Sequence, residues 1–384
     1  MECSAGLLLA SKMKILFSFE SGKMPIRSTT LINWLISRGH DLSILYEPSI
    51  GNEEIVYENH INVKIYNHSN IQNSRICKIH PNDVINDFNE YDIWFADVLH
   101  YKNYGELSYY HNAFKSYKNK LVIISFDDGA NFFEHRLDEE LHERVDCWIN
   151  NLIEKDREVY HKSIQNKCML MPTYIEDSNK NYEEFKHCIK KFSDKESKVY
   201  FSGTITGCLP AIDCRYTSVY KLYASDIPNH VRVIGVEKNP ILEHLYTYYL
   251  PDQVKSVMVD RPTFLNEINN CKYILSPKGN CQPLRRQYES FAFNNLVFIN
   301  ENNSVDYLYE GTPNVHFVSY KIDCSDLKEK LRYYINNPSE ALKIADAGTK
   351  FWEDNCRVYN DGTISKNLEN TLIDNFKNIT GVSL

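Results

Sequence analysis

A chain of 384 residues exceeds one ordinary hydrophobic core and implies two domains. Its 43% hydrophobic and 24% charged residues are the composition of a soluble globular protein. The net charge of -8, with basic residues scattered along the chain, excludes nucleic acid or an anionic membrane as a partner gripped by bulk charge. Any anion site must be local.

The first residues, MECSAGLLLASK, hold an apolar run too short for a secretory signal and lacking a basic flank. Residues 1–12 are expected to be a disordered leader before Met13. No stretch reaches the ~18 apolar residues of a membrane span, so a soluble, cytoplasmic protein is expected. The 11 cysteines include no C-x-x-C pair, which argues against zinc and against a disulfide framework. They read as reduced, mostly buried thiols of a reducing compartment.

From Met13 the pattern is strand, loop, helix, strand. KILFSF is a buried run, and ESGKMPIR a polar loop. Ser28 is a candidate N-cap for TTLINWLISRG, and Gly39 ends that helix. HDLSILY follows as a second strand, and the βαβ opening predicts a parallel sheet. NVKIY, DIWFADV, LVIISFD, DCWINN and KCMLMP continue the series, several of them apolar on both faces. Residues 13–176 form the expected N-terminal domain. Residues 177–198 are charged and polar, and read as an exposed helix plus linker.

A second α/β series occupies residues 199–358. VYFSGT, VRVIGV, KYILSP, LVFIN and VHFVSY are its strands. RYTSVYKLYA, TFLNEINN, PLRRQYESFAFN and the helices from CSDLKEKL onward alternate with them. Residues 359–384 carry a final helix.

In open parallel sheets, ligands bind at the carboxyl ends of the strands. Ser276 and Pro277 close the strand KYILSP, and Gly279 lies in the turn beyond. Arg286 and Glu289 then stand at i and i+3 of a helix and so share a face. Arginine with free helix amides suits a diphosphate, and a glutamate suits ribose hydroxyls. The plainer alternative is a solvated Arg–Glu pair, worth about 0.3–0.5 kcal/mol. Arg285, about 100° around the helix, is expected to face elsewhere.

The stretch CKYILSPKGNCQPLRRQYESFAFNNLVFIN resembles the signature of the exostosin-like glycosyltransferases of the GT-B superfamily. Pro277, Gly279, Arg286, Glu289 and the strand Leu296–Ile299 match in order and spacing. Leu284 stands where the family usually has serine, and Asn294-Asn295 replace its small residues. VYFSGTITG, with Gly203 and then Arg215, resembles the start of a donor domain in that superfamily. The resemblance implies two Rossmann-like domains whose parallel sheets face across a cleft, with the final helix returning to the N-terminal domain. It implies transfer of a sugar from a nucleotide-sugar donor, a UDP- or GDP-sugar, to a glycan or glycoconjugate hydroxyl. Inversion is implied with it, and the family residues would hold the donor's diphosphate and nucleoside.

A base is needed to deprotonate the acceptor hydroxyl. Asp127 and Asp128 follow the buried strand LVIISF, Glu20 follows the first strand, and His100 follows FADVL. Asp127 is the first choice and Glu20 the second, though adjacent acids before a glycine also make a simple turn. The sequence holds no D-x-D, so a metal-independent reaction with no cofactor is expected, with charge supplied by arginines and helix amides. A sugar-nucleotide epimerase or hydrolase and a sugar-binding module remain as alternatives. A dinucleotide oxidoreductase ranks below them, because the first βαβ unit lacks G-x-G-x-x-G.

Overall fold

The computed structural model describes residues 12–19, 29–46, 63–67, 87–97, 113–125, 139–172, 175–205, 209–236, 258–277, 285–301, 305–308 and 311–384. The chain divides into two compact units, residues 1–173 with 359–384, and residues 174–358. No helix among the described residues is long and apolar enough to cross a membrane.

The first unit is built on a seven-stranded sheet, from β1 (Lys14–Phe19), β2 (Asp41–Tyr46), β3 (Val63–Asn67), β4 (Ile93–Asp97), β5 (Lys120–Ile124), β6 (Cys147–Asn150) and β8 (Cys168–Leu170). The short β7 (Leu152–Glu154) stands outside it. The order is β3-β2-β1-β4-β5-β6-β8 and every pairing is parallel. This is a doubly wound arrangement whose strand order reverses between β1 and β4. Helix α1 (Thr29–Ser37) ends at Gly39, whose φ of +85° takes the left-handed conformation that only glycine adopts freely. Trp94 anchors the core, stacked on Phe88 at 4.7 Å, with its indole N–H donated to Ser18 Oγ at 2.8 Å.

The second unit alternates strands and helices. Helix α2 (Ile175–Phe185) precedes β9 (Glu196–Ile205), α3 (Leu209–Tyr223), β10 (Asn229–Val236), α4 (Arg261–Asn270), β11 (Cys271–Ser276), α5 (Arg285–Ala292) and β12 (Leu296–Asn300). The short β13 (Val305–Tyr307), then β14 (Val318–Tyr320), α6 (Leu327–Asn336) and α7 (Pro338–Asn355) complete it. Its sheet is parallel throughout in the order β10-β9-β11-β12-β14, so its reversal lies between β9 and β11. Tyr273, Leu275, Phe298, Val318, Leu327 and Ala341 fill one face.

Residues 177–198, expected to link the domains, lie inside this unit. Asn179 and Asn181 of α2 are buried and hydrogen-bonded, to Cys356 O at 3.1 Å and to Glu289 at 3.0 Å. A helix can be polar and still pack when its polar groups find partners inside, and composition does not show that.

Helix α5 is fixed at its carboxyl end from several directions. The buried Lys195 ammonium donates to Phe293 O and to Asn294 O. Thr349 Oγ1 donates to Phe291 O at 2.8 Å. Asn294 takes the left-handed conformation at φ +56° and donates to Asp346 at 2.9 Å. That accounts for an asparagine where the resembling family has a small residue, since Asn tolerates this region better than most side chains. Gly348 of α7 allows the approach, because a Cβ there would lie 2.7 Å from His316 O and 3.0 Å from the Phe291 ring.

The last helix, α8 (Lys366–Thr380), groups with the first unit. Phe376 packs near Phe95 at 6.1 Å, and Glu369 accepts from Trp34 Nε1 at 3.3 Å and Arg38 at 2.8 Å.

Burial pushes the Lys195 amine down from 10.5 to about 7, with Cys271 opposing the shift. Between those two values the unfolded chain holds a proton that the folded chain lacks, so stability rises with pH there. Below pH 7 the cost of the buried charge is fully present. Urea unfolding of the native chain and of Lys195→Met across pH 6–10 should show the difference. The native chain should gain relative to the variant by up to about 1.4 kcal/mol per pH unit above 7. Parallel profiles would show that the amine does not titrate in this window.

Candidate functional site

Parallel α/β units present their loops and helix N-termini at the carboxyl edge of the sheet. In the second unit that edge gathers Gly203 at the end of β9, Ser276 and Pro277 at the end of β11, and the first turns of α4 and α5. Ile274 pairs with Tyr200, so by that register Ser276, the last residue of β11, stands level with Ser202 of β9 beside the reversal point.

Arg286 leaves α5 and crosses to β9. Its Nη2 donates to Ser202 O, and its guanidinium lies over the Phe201 ring at 4.9 Å. A Cβ on Gly203 would come within 2.5 Å of Nη2, so the glycine makes room for this arginine. Arg215, nearly two turns into α3, donates to Thr204 O at 3.2 Å. The two guanidinium groups thus hold carbonyls on either side of Gly203. Desolvation, with the nearby Arg215 charge, lowers the Arg286 pKa from 12.5 to about 10, against a smaller raising effect of Tyr200. It is still a cation at neutral pH. Its Nε is buried without a hydrogen-bond partner among the described residues, and so is Ser276 Oγ. A buried cation beside a second arginine and an unpartnered donor forms a place where an anion relieves like-charge repulsion.

Glu289 occupies a different setting from the one its spacing suggests. It is fully buried, whereas a solvated surface pair would leave it exposed. It does not share a task with Arg286. Its Oε1 accepts from Arg285 Nε at 3.0 Å and from Asn181 Nδ2 at 3.0 Å and is ion-paired with Arg261, while Oε2 has no hydrogen-bond partner among the described residues. Arg285 therefore does not face elsewhere. Residues at i and i+4 stand on one helix face, and opposite charges there meet.

Sequence reading missed Arg261 and Asn181. Asp260 caps α4 by accepting from Thr263 N at 2.9 Å, and Pro262 sits in the first turn. That Asp-x-Pro start signals a helix opening at Arg261, two residues before the expected Thr263. A helix start in a parallel unit lies at the ligand edge, which is the signal that pointed to Arg261. Asn181 had none, being brought in by packing alone.

In the first unit, β1, β4 and β5 are neighbours, and Phe19, Asp97 and Ile124 end them on one carboxyl edge. Glu20, His100, Asp127 and Asp128 follow these strands in sequence and lie outside the described residues, as does Gly279 in the second unit. The opposite edge of the same sheet holds an open cleft of about 470 Å³, lined by Lys12, Asp92, Lys118, Lys120, Arg144 and Asp146 among others. Lys120 and Arg144 each pair with Asp146 at 3.0 Å, so its charges are largely internally matched. Among the described residues no cluster of His, Cys, Asp and Glu is arranged to hold a metal. Cys147, Cys214, Cys271, Cys324 and Cys356 are buried free thiols.

Residues 242–360 match the model of glycosyl transferase family 90. No curated protein matches the chain in sequence. Among solved structures, a glycosyltransferase from Rickettsia africae is similar at a TM-score of 0.57 and 14% identity, over 97% of this chain and 98% of that one. The Anabaena protein HepE in complex with UDP-glucose is similar at 0.54 and 13%, over 89% and 94%. Sucrose-phosphate synthase from Thermosynechococcus elongatus is similar at 0.53 and 11%, over 89% and 94%. Residues 242–360 carry the glycosyltransferase match, and the fold shared with these proteins along nearly the full length of the chain is the two-domain GT-B fold.

Proposed function

We propose that the enzyme transfers a glycosyl group from a UDP- or GDP-sugar to a hydroxyl of a glycan or glycoconjugate, with inversion and without a metal ion. The observation that carries the reading is the pair Arg215 and Arg286 at the end of β9, beside Gly203 and the orphaned Ser276 hydroxyl. HepE, which has the same fold, was solved with UDP-glucose. The likeness to exostosin-like enzymes is a likeness of motif, and its Pro277-to-Glu289 spacing falls within the residues that match family 90.

In the proposed reaction the acceptor hydroxyl attacks the sugar's anomeric carbon as its bond to the diphosphate oxygen breaks. Negative charge grows on the departing diphosphate, where Arg286 and Arg215 stabilise it. Both are cations at neutral pH, so they act without a change of protonation. Asp127, after β5, takes the hydroxyl proton in this scheme, with Glu20, Asp128 and His100 as the other candidates. Ser276, Pro277 and Gly279 shape the turn against the phosphates, and Glu289 accepts from the ribose.

Calorimetry with UDP, GDP and the bare nucleosides tests the donor site. Arg286→Ala should weaken nucleoside-diphosphate binding by roughly 1.5–3 kcal/mol, as for a lost hydrogen bond to a charged group, and leave the nucleoside nearly unchanged. Gly203→Val, which displaces the guanidinium, should act in the same direction. Equal losses for nucleoside and diphosphate would contradict the assignment.

Turnover on a panel of nucleotide sugars in chelator tests the chemistry. Transfer should persist there, and Asp127→Asn should lower its rate about 10²–10⁴-fold with donor binding intact. Near-normal turnover in that variant would move the base to another candidate. Loss in chelator restored by Mn²⁺ would refute metal independence, and donor conversion without any acceptor would point to an epimerase or hydrolase.

A further inference from the structure

We infer that Arg261 and Asn181 are positioning residues that lock the Glu289 carboxylate so that Oε2 alone remains to accept from a ribose diol; this rests on the donor reading above. The two oxygens of Glu289 are treated unequally. Oε1 accepts from Arg285 Nε at 3.0 Å and from Asn181 Nδ2 at 3.0 Å, and the Arg261 guanidinium is ion-paired with it; the three partners come from α5, α2 and α4. Oε2, equally enclosed, has no hydrogen-bond partner among the described residues. The carboxylate side chain is 1% exposed, against 33% for Arg261 and 37% for Arg285.

A carboxylate oxygen offers about two lone-pair sites, so Oε1 is saturated. An unmet acceptor on a buried carboxylate is costly, and a fold that brings two donors and an ion pair to one oxygen and none to the other leaves room for an outside donor. The chemistry that fits is a neutral hydroxyl. An incoming phosphate would be repelled by the carboxylate, and an incoming cation would add to two arginines already present. A ribose, joined to the diphosphate, carries two such hydroxyls.

Spacing agrees with that identity. Glu289 lies three residues beyond Arg286, about 4.5 Å along the helix axis, so both side chains start from one stretch of α5. Arg261 also supplies something that Arg285 cannot. Its backbone belongs to α4, and its guanidinium is seated over Phe264 at 4.8 Å, so it fixes the carboxylate from outside α5. Asn181 fixes it from α2. With partners on three separate elements, the carboxylate cannot rotate to exchange its two oxygens.

The test compares UDP and GDP with their 2′,3′-dideoxy forms, and with inorganic pyrophosphate, by calorimetry on the full chain. The native protein should prefer the ribose form roughly tenfold or more, the loss expected for a hydrogen bond to a charged acceptor. In Arg261→Met and Asn181→Leu the preference should fall towards one, while pyrophosphate affinity, set by Arg286, changes less than about twofold. Arg261→Lys, which keeps a charge but not the planar fork, should retain an intermediate preference. Thermal melts identify variants that have lost the fold. A native protein that binds both forms equally overturns the inference even if no variant is stable. So does an unchanged preference in folded variants, or an equal loss of pyrophosphate. A native protein that binds neither nucleoside diphosphate nor pyrophosphate overturns the donor reading itself, and the inference with it.

Discussion

A carboxylate sealed inside a packed helix must be neutralised, and much of the second unit is arranged around that requirement. Removing an ion from water costs several kcal/mol unless charge and hydrogen bonds replace the lost hydration. Glu289 meets the condition with two arginines and an asparagine drawn from three helices. The consequence spreads outward. One negative group sits among Arg261, Arg285 and, next along the helix, Arg286, so this edge of the sheet is locally positive in a chain of net charge -8. Bulk charge and site charge have opposite signs, which confines anion attraction to one place.

The helix that carries these groups is held more firmly than its eight residues would hold themselves. Lys195 and Thr349 bind its last carbonyls, and α7 approaches closely at Gly348. Electrostatic stabilisation of a leaving group depends on donors that need not reorganise as charge develops. In the proposed reaction Arg286 would meet that need from a fixed backbone, and its guanidinium is held between the Phe201 ring and the Ser202 carbonyl.

Much of this was legible in the sequence, for identifiable reasons. Strands such as LVIIS and LVFIN are buried on both faces, so their apolar runs announce covered parallel sheets. Gly39 and Gly203 were readable because a backbone conformation in one case, and a close approach in the other, demands glycine. What stayed hidden depends on tertiary contact. Asn181 looks like any polar residue of a charged helix until α2 is seen against α5. Arg285 was set aside by angular position, yet an arginine is long enough to reach the carboxylate four residues on. Strand order was also invisible, since local pattern does not tell a 2-1-3-4-5 sheet from a sequential one.

The path of the chain has a consequence for its biogenesis. The first unit is opened by residues made early, and α8, which packs at Phe95 and Trp34, is made only after the whole second unit. During synthesis the second unit is complete at Val358 while the first still lacks the helix that buries Leu368, Leu372 and Phe376. Apolar surface around Phe95 therefore stays open to the ribosome's surroundings until α8 emerges. The unit that begins first is the unit that finishes last, and its nascent form is the one that holdase chaperones would meet.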